Sequence, residues 1–444
     1  MTLTRLLSAA VLVVLPVWVA APATAETPPP VDNSRLPRAA SPAPPQPTRQ
    51  QESCVLSAQT AEATTSGQLD DLGLASVWPL TRGRGQTIAV IDTGVSRHRL
   101  LPDLVPGGDY VSTGDGTQDC DGHGTIVAGI VGAAGDGAFQ GVAPEATIIA
   151  IRQSSTKFRA VDDAAGSGFG NVDTLAMAVR TAADMGATVI NVSSVACLPA
   201  EDALDDRALG AALAYAVDVK NAVVVAAAGN VGGTGQCPQQ NPVDPARAGR
   251  PDWAGVQVVV SPAWYDDYVL TVGSAAPNGE PSAFSLAGPW VDVAAPGEGV
   301  VSLDPDGEGI IDALPTSGGT APIAGTSYAA PVVSGVAALL RSRSPELTAR
   351  QVMQRIETTA RHPAAGWNPL VGHGVVDPVA AVTGGPTPVH PPGGHRRVSL
   401  PAAHPPDHRP THIAVRGAAL CVAVSACVIA GARLRRRPEA VAHD

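Results

Sequence analysis

Four polar side chains stand at the ends of apolar segments, where they can do chemistry. Asp92 and Asn230 each end an apolar run, and His123, between two glycines, and Ser327 each precede one. A buried carboxylate needs a hydrogen-bonding partner, and the small neighbours of the imidazole permit close approach of a substrate or another side chain. A hydroxyl at a helix start lies beside free amides that can hold an oxyanion, and an amide side chain can donate to the same oxyanion. Each residue is therefore a candidate for catalysis.

Each motif also has another interpretation. Residues 92–94 read Asp-Thr-Gly, as in an aspartic protease, but that chemistry needs two carboxylates that share a proton. The chain has no second Asp-Thr-Gly or Asp-Ser-Gly, so that interpretation requires a homodimer. The histidine can equally belong to a tight turn, the serine can be a helix N-cap, and the asparagine can be a turn residue.

Short β-branched runs that alternate with longer amphipathic or alanine-rich stretches must position these residues. The alternation predicts an α/β fold in which helices cover both faces of a mostly parallel sheet. In such sheets functional residues lie in the loops at the carboxyl ends of strands, and three of the four motifs lie at or near such places. The predicted strands are residues 87–91, 146–151, 188–192 and 222–227, and the predicted helices are residues 172–185, 204–219 and 327–341.

The order Asp92, His123, Asn230, Ser327 resembles that of the subtilisin-like serine proteases, whose triad runs through the chain as Asp, His, Ser. The resemblance spans residues 70–382, which are predicted to form the peptidase domain. It implies a three-layer subtilisin-like fold around a mostly parallel central sheet. It also implies peptide-bond hydrolysis through an acyl-enzyme, with no metal and no organic cofactor.

The same resemblance assigns a role to each residue. Ser327 is the nucleophile, His123 is the general base and acid, and Asp92 fixes the imidazole tautomer and stabilises its charged form. Asn230 and the backbone amide of Ser327 hold the oxyanion. Because His123 must be neutral to act as a base, activity is expected to fall as the pH drops through about 6.5, shifted by the carboxylate partner.

Composition excludes several classes of protein. The 444 residues include 40 acidic and 29 basic side chains, for a net charge of −11, which disfavours a generic nucleic-acid binder. Apolar residues make up 45% of the chain and aromatic residues only 3%. A sizeable core must therefore be built mainly from Ala, Val, Leu and Ile, and disorder throughout is excluded.

The two ends predict an exported protein with a single C-terminal anchor in the cell membrane. Residues 1–25 carry a basic residue, an apolar run and Ala-Thr-Ala, the pattern of a cleaved secretory signal. Residues 413–432 carry Arg416 as their only charge, and the arginines of the tail, 433–444, place that end in the cytoplasm. An uncleaved N-terminal anchor and a wall-sorting tail are the alternatives. The N-terminal run is short and holds a proline, and residues 400–404 lack the Thr-Gly of a sorting signal.

Proline-rich segments flank the predicted peptidase domain. Residues 26–69 are expected to form an extended N-terminal arm, and residues 383–412 a semi-rigid linker between the domain and the membrane. Five histidines lie on or beside this linker, but their spacing is irregular. We therefore expect no metal site there.

Cysteine usage points to disulfides. Two of the six cysteines fall inside the predicted membrane segment, which leaves four in the exported part. An even number in an oxidising compartment favours two disulfides, whereas no Cys-x-x-Cys or Cys/His spacing supports a zinc site. The sequence alone allows three pairings of Cys54, Cys120, Cys197 and Cys237.

The whole arrangement is similar to that of the mycosins, the membrane-anchored subtilases that accompany type VII secretion systems of actinobacteria. The resemblance includes the sequence Arg-Gly-Arg-Gly at residues 82–85, just before the predicted strand that leads to Asp92. It also includes the positions of the four exported cysteines. It implies the disulfides Cys54–Cys120 and Cys197–Cys237, of which the first would pin the arm beside the His loop. It also implies two partners, a secreted protein substrate and the type VII secretion membrane complex, and no nucleic acid.

Two features depart from the broader subtilisin pattern. Residues 26–68 are short for a folding propeptide, so the arm is expected to stay wrapped on the core. Residues 193–196 read Ser-Ser-Val-Ala where many subtilisins have Ser-x-Gly-Gly along the substrate cleft. A structural subunit of the secretion complex, with catalysis secondary, is the alternative function. A general degradative exoprotease is a third, and the anchor and the short arm weigh against it.

Overall fold

The computed structural model of the chain describes most of the arm and the predicted peptidase domain. The predicted signal peptide, membrane segment and tail, nearly all of the linker, and part of the arm lie outside the described residues. Across the part that is described, no helix has the length and apolar character needed to cross a membrane. The described residues are 27–55, 67–135, 139–163, 166, 168–202, 204–233, 236–244, 249–306, 309–316 and 318–384.

Strands made of Val, Ile and Ala form the centre of the fold. The central ones are buried along almost their whole length, so their sequences are apolar runs that do not alternate with polar residues. In chain order the strands are β1 (Thr48–Gln50), β2 (Thr87–Asp92), β3 (Leu104–Asp109), β4 (Thr147–Arg152), β5 (Phe158–Ala160), β6 (Val189–Val192), β7 (Ala196–Pro199), β8 (Val223–Ala227), β9 (Val258–Ser261), β10 (Leu270–Ala275), β11 (Val293–Pro296), β12 (Ser302–Leu303), β13 (Ile310–Ile311), β14 (Ala313–Thr316) and β15 (Gly319–Pro322).

Seven of these strands form one sheet in the order β11-β10-β8-β6-β2-β4-β3. Every neighbouring pair in it is parallel, which confirms the predicted mostly parallel sheet. The strand order reverses at β2, which pairs with β4 on one side and with β6 on the other. Parallel α/β sheets bind their ligands in the crevice at such a reversal, outside the carboxyl ends of the strands. Asp92, the last residue of β2, lies there.

Helices cover the sheet in pairs and complete three layers. Helices α2 and α5 pack on each other and on the central strands, and α3 packs on α4 and on β2, β4 and β6. A capping box between Asn171 and Thr174 starts α3. The helices are α1 (Leu74–Val77), α2 (His123–Gly132), α3 (Val172–Asp184), α4 (Arg207–Ala214), α5 (Thr326–Arg343), α6 (Ala349–Thr359) and α7 (Pro378–Thr383).

The predicted strands and helices are confirmed to within two residues, except at the start of one helix. The sequence predicts a helix over residues 204–219, but α4 begins at Arg207 and continues as a π-helical turn, Tyr215–Val219. The reason is Asp206, whose buried carboxylate accepts hydrogen bonds from three side chains around the end of β9 and caps no helix. The donors are Ser261, Trp264 and Tyr265.

The described part of the N-terminal arm lies against the peptidase domain. Strand β1 pairs antiparallel with β5, and the hydroxyl of Thr48 donates to the carbonyl oxygen of Val111 at 2.5 Å. Further along, the amide of Val55 donates to the carbonyl oxygen of Cys120 at 2.9 Å. The arm therefore runs up to the loop that precedes α2.

Candidate active site

Asp92 presents a buried carboxylate at the reversal point of the sheet. Its side chain is fully buried, and Oδ1 accepts a hydrogen bond from the amide of Thr93 at 2.8 Å. The same oxygen lies 2.7 Å from Nδ1 of His123. These contacts offset the cost of burying the charge. The predicted partner of the carboxylate is therefore the imidazole of His123.

His123 is the first residue of α2, and a glycine on each side allows its position. Gly122 has a φ of +78°, a left-handed conformation that favours glycine. A Cβ on Gly124 would lie 2.0 Å from the carbonyl oxygen of Gly94, so only a glycine lets the start of α2 approach the loop after β2 this closely. The glycines seen in the sequence therefore bring His123 to Asp92.

The charges around His123 favour its protonated form. Burial lowers the pKa of His123, but the charge and hydrogen bond of Asp92, together with the charges of Asp119 and Asp121, outweigh burial, so the pKa is raised above its usual value. Nδ1 faces the Asp92 carboxylate and therefore carries a hydrogen. In the neutral ring Nε2 is then the acceptor, the form required of a general base.

Ser327 is the second residue of α5. Its side chain is largely buried, and its carbonyl oxygen accepts from the hydroxyl of Ser193 at 2.8 Å. The ring of the next residue, Tyr328, lies 5.1 Å from the ring of His123, measured between centroids. The structure thus brings the start of α5 beside the start of α2.

Asn230 lies after β8 with its amide group oriented by α5. Oδ1 of Asn230 accepts from the amide and the hydroxyl of Thr326 at 2.9 and 3.0 Å. Nδ2 is therefore turned away from Thr326. A Cβ on Gly325 would lie 3.2 Å from Oγ of Ser327 and 3.6 Å from Nδ2 of Asn230, so both polar atoms border the same small space. The sequence analysis did not identify Thr326, because no motif or spacing in the sequence indicates that residue 326 contacts residue 230.

A cleft of about 610 Å³ is lined by His123 and by Thr93 and Tyr328, the chain neighbours of Asp92 and Ser327. A second cleft of about 620 Å³, lined by Asp70 and Glu298, contains none of the four predicted site residues, so volume alone does not identify the site. Across the described ranges, no group of three or more His, Cys, Asp or Glu side chains is placed to hold a metal ion. Residues that line the first cleft include Val55, His123, Ser193, Val195, Leu314 and Tyr328.

Two disulfides flank the site, with the pairing that the resemblance implies. Cys54 is bonded to Cys120, which ties the N-terminal arm to the loop before His123. Cys197 is bonded to Cys237, whose amide donates to the carbonyl oxygen of Asn230 at 2.8 Å. Each disulfide therefore fixes a segment that adjoins one of the predicted site residues.

Comparisons with known proteins agree with this geometry. The sequence profile of the subtilase family, peptidase S8, matches residues 83–374. Mycosin-4 of Mycobacterium tuberculosis is 58% identical, over 94% of this chain and 93% of that protein. The solved structure of MycP3 protease from the type VII (ESX-3) secretion system is 46% identical, with a TM-score of 0.74, and covers 81% of this chain and 100% of that chain. A chain of the intact ESX-5 inner membrane complex is 41% identical, with a TM-score of 0.76 and coverage of 92% and 100%. The chain therefore belongs to the mycosins, subtilisin-like serine proteases of the subtilase family.

Proposed function

We propose that Asp92, His123 and Ser327 are the catalytic triad of this protease. The observation that carries the proposal is the 2.7 Å contact between Asp92 and His123 at the reversal point of the sheet. Oγ of Ser327 attacks the scissile carbonyl carbon while Nε2 of His123 takes its proton. His123 then returns that proton to the leaving amine, and water hydrolyses the acyl-enzyme by the same route.

Asn230 and the backbone amide of Ser327 hold the oxyanion of the tetrahedral intermediate. Support comes from the orientation of Asn230, whose Oδ1 is occupied by Thr326 while Nδ2 and Oγ of Ser327 border one space. The start of α5 adds the positive end of a helix dipole at the same place. A donor fixed before the reaction stabilises the developing charge without reorganisation.

We propose further that the protease acts outside the cytoplasm on a secreted protein, in association with a type VII secretion membrane complex. The matched chain of the ESX-5 inner membrane complex supports this, since all of it is covered by the present chain. The predicted signal peptide, residues 1–25, and membrane anchor, residues 413–432, would place the protease domain outside the cytoplasm and the C-terminus inside it. Both segments lie outside the described residues.

Replacement of the nucleophile tests the catalytic assignment. Ser327→Ala is expected to lower kcat on a peptide substrate by about 10⁶-fold, because no other group replaces the attacking oxygen. Ser342→Ala, near the far end of the same helix, is the matched control and is expected to keep wild-type kcat. Substantial residual turnover in folded Ser327→Ala would exclude Ser327 as the nucleophile.

A structural role within the secretion complex is the second candidate function. The observation that favours it is again the matched chain, which was solved as part of an assembled inner membrane complex. Complementation of a deletion strain distinguishes the two. Secretion restored fully by Ser327→Ala assigns the main role to the folded domain, and secretion that requires Ser327 assigns it to catalysis.

A further inference from the structure

A third carboxylate, Asp119, links the loop after β2 to the start of α2. Its Oδ1 accepts from the hydroxyl of Thr93 and from the amide of Gly122, both at 2.8 Å. Its Oδ2 accepts from the amide of Thr125 at 2.8 Å and from the hydroxyl of Thr125 at 2.7 Å. Thr93 adjoins Asp92, and Gly122 and Thr125 lie on either side of His123. One side chain therefore holds the surroundings of both residues.

Asp119 is the acceptor in each of these hydrogen bonds, and its neighbours are the donors. The hydroxyl oxygen of Thr93 accepts from the amide of Gly124 at 3.0 Å, and that of Thr125 accepts from the amide of Ser96 at 2.9 Å. Each hydroxyl hydrogen is therefore left to donate to Asp119. A carboxylate accepts at both oxygens, whereas an asparagine would turn an N–H group toward the amide of Gly122 or of Thr125.

We propose that Asp119 is a positioning residue that sets the distance and angle between the Asp92 carboxylate and the His123 imidazole. The proposal rests on the catalytic roles assigned above to Asp92 and His123. The rate of a reaction falls steeply when the reacting groups are misplaced. A small shift of the loop after β2 relative to α2 therefore slows the reaction without changing the contacts with the substrate. Asp119 touches neither the proposed nucleophile nor the oxyanion site in the described contacts.

The charge of Asp119 also affects the pKa of His123, so the pH dependence of the rate provides a second, independent test of the proposal. The groups that face His123 are Asp92, Asp119, Asp121 and the phenol of Tyr328, and the three carboxylates all raise the pKa of the imidazole. Loss of the Asp119 charge therefore lowers the pKa of His123. The acid limb of the pH–rate profile moves to lower pH, an effect that a purely structural contribution to folding would not produce.

Three variants test the proposal in the full-length protein. Asp119→Asn removes the charge and one backbone hydrogen bond, Thr93→Val removes the donor without a change of charge, and Asp115→Asn is a control. Asp115 lies in the same loop, and its side chain bonds Thr117. kcat and KM are measured on a peptide substrate and divided by the number of active sites titrated with fluorophosphonate, so that unfolded molecules do not count.

The expected results differ between the variants. Asp119→Asn lowers kcat about 10- to 100-fold with little change in KM, and it moves the acid limb to lower pH. Thr93→Val lowers kcat with the acid limb unmoved, and Asp115→Asn keeps wild-type kcat. The proposal is overturned by wild-type kcat per active site in Asp119→Asn, or by an unmoved acid limb in that variant. If Asp119→Asn does not fold, wild-type kcat in Thr93→Val overturns it. Turnover retained in Ser327→Ala would overturn the catalytic assignment itself.

Discussion

Oδ1 of Asp92 lies 2.7 Å from Nδ1 of His123, although the two residues are 31 positions apart in the chain. The contact joins the last residue of β2 to the first residue of α2. The carboxylate is fully buried and the imidazole is 26% exposed, so one end of the pair is shielded and the other reaches the cleft. This geometry suits the proposed triad, in which the carboxylate orients the base without taking its proton.

Loss of the Asp92 charge should nearly abolish turnover. Asp92→Asn is expected to lower kcat by about 10⁴-fold, because an amide at this place favours the wrong imidazole tautomer. Steady-state kinetics on a peptide substrate measure the effect. Asp103→Asn, which changes an exposed carboxylate away from the site, is the control. Activity of Asp92→Asn within tenfold of wild type would show that the carboxylate does not orient the base.

The pH dependence of kcat/KM should show a raised histidine pKa. Despite burial, which lowers it, the carboxylates around His123 raise its pKa above 6.5. In the proposed mechanism the neutral ring is the active base, so kcat/KM is expected to fall as the pH drops through this raised value and to recover above it. A profile measured from pH 4 to pH 9 gives the midpoint of the acid limb. A midpoint clearly below 6.5 would contradict the arrangement of charges.

Removal of the proposed oxyanion donor, Asn230, should affect kcat more than KM. Asn230→Ala is expected to lower kcat by roughly 10²- to 10³-fold, because the donor is used most strongly in the transition state. Thr326→Val is expected to give a smaller loss, since it removes one of the two hydrogen bonds that orient Asn230 and leaves the bond from the backbone amide at position 326. Asn278→Ala on the exposed surface is the control. If Asn230→Ala changed KM alone, Asn230 would be excluded as a donor to the oxyanion.

The first disulfide should hold the N-terminal arm on the domain. The double variant Cys54→Ser/Cys120→Ser is expected to unfold at a lower temperature, with a loss of about 2–4 kcal/mol, and to be cleaved faster within the arm by an added protease. Glu52→Gln removes only exposed ion pairs to Lys157 and Arg159, so it should have little effect. Equal resistance of the arm in the double variant and wild type would refute this role.

The residues that end or begin apolar runs are the ones that sequence reasoning could find. Asp92 ends a strand, Asn230 follows one, and His123 and Ser327 lie at helix starts, so the pattern places three of the four motifs at or near the carboxyl ends of strands. The pairing of the cysteines came from resemblance, since the spacing alone allows three. The catalytic roles, the anchor and the signal peptide stay predictions.

The polar contacts that support the site residues could not be predicted. The bond from Thr326 to Asn230 spans 96 positions and that from Thr93 to Asp119 spans 26, and no periodicity marks either partner. Strands such as β7 and β14 were also missed, because they are short, only partly buried and antiparallel to their neighbours. The start of α4 was misplaced because a buried carboxylate, Asp206, accepts hydrogen bonds from side chains at and just after the end of β9.

Mass spectrometry of the protein after reaction with a fluorophosphonate tests the central claim most directly. A serine reacts readily with this reagent only where a base activates it and an oxyanion site receives the phosphonyl oxygen. The proposed triad predicts one adduct per chain, on Ser327, and slower labelling in Asp92→Asn. An adduct on another serine, or stoichiometric labelling of Ser327→Ala, would contradict it.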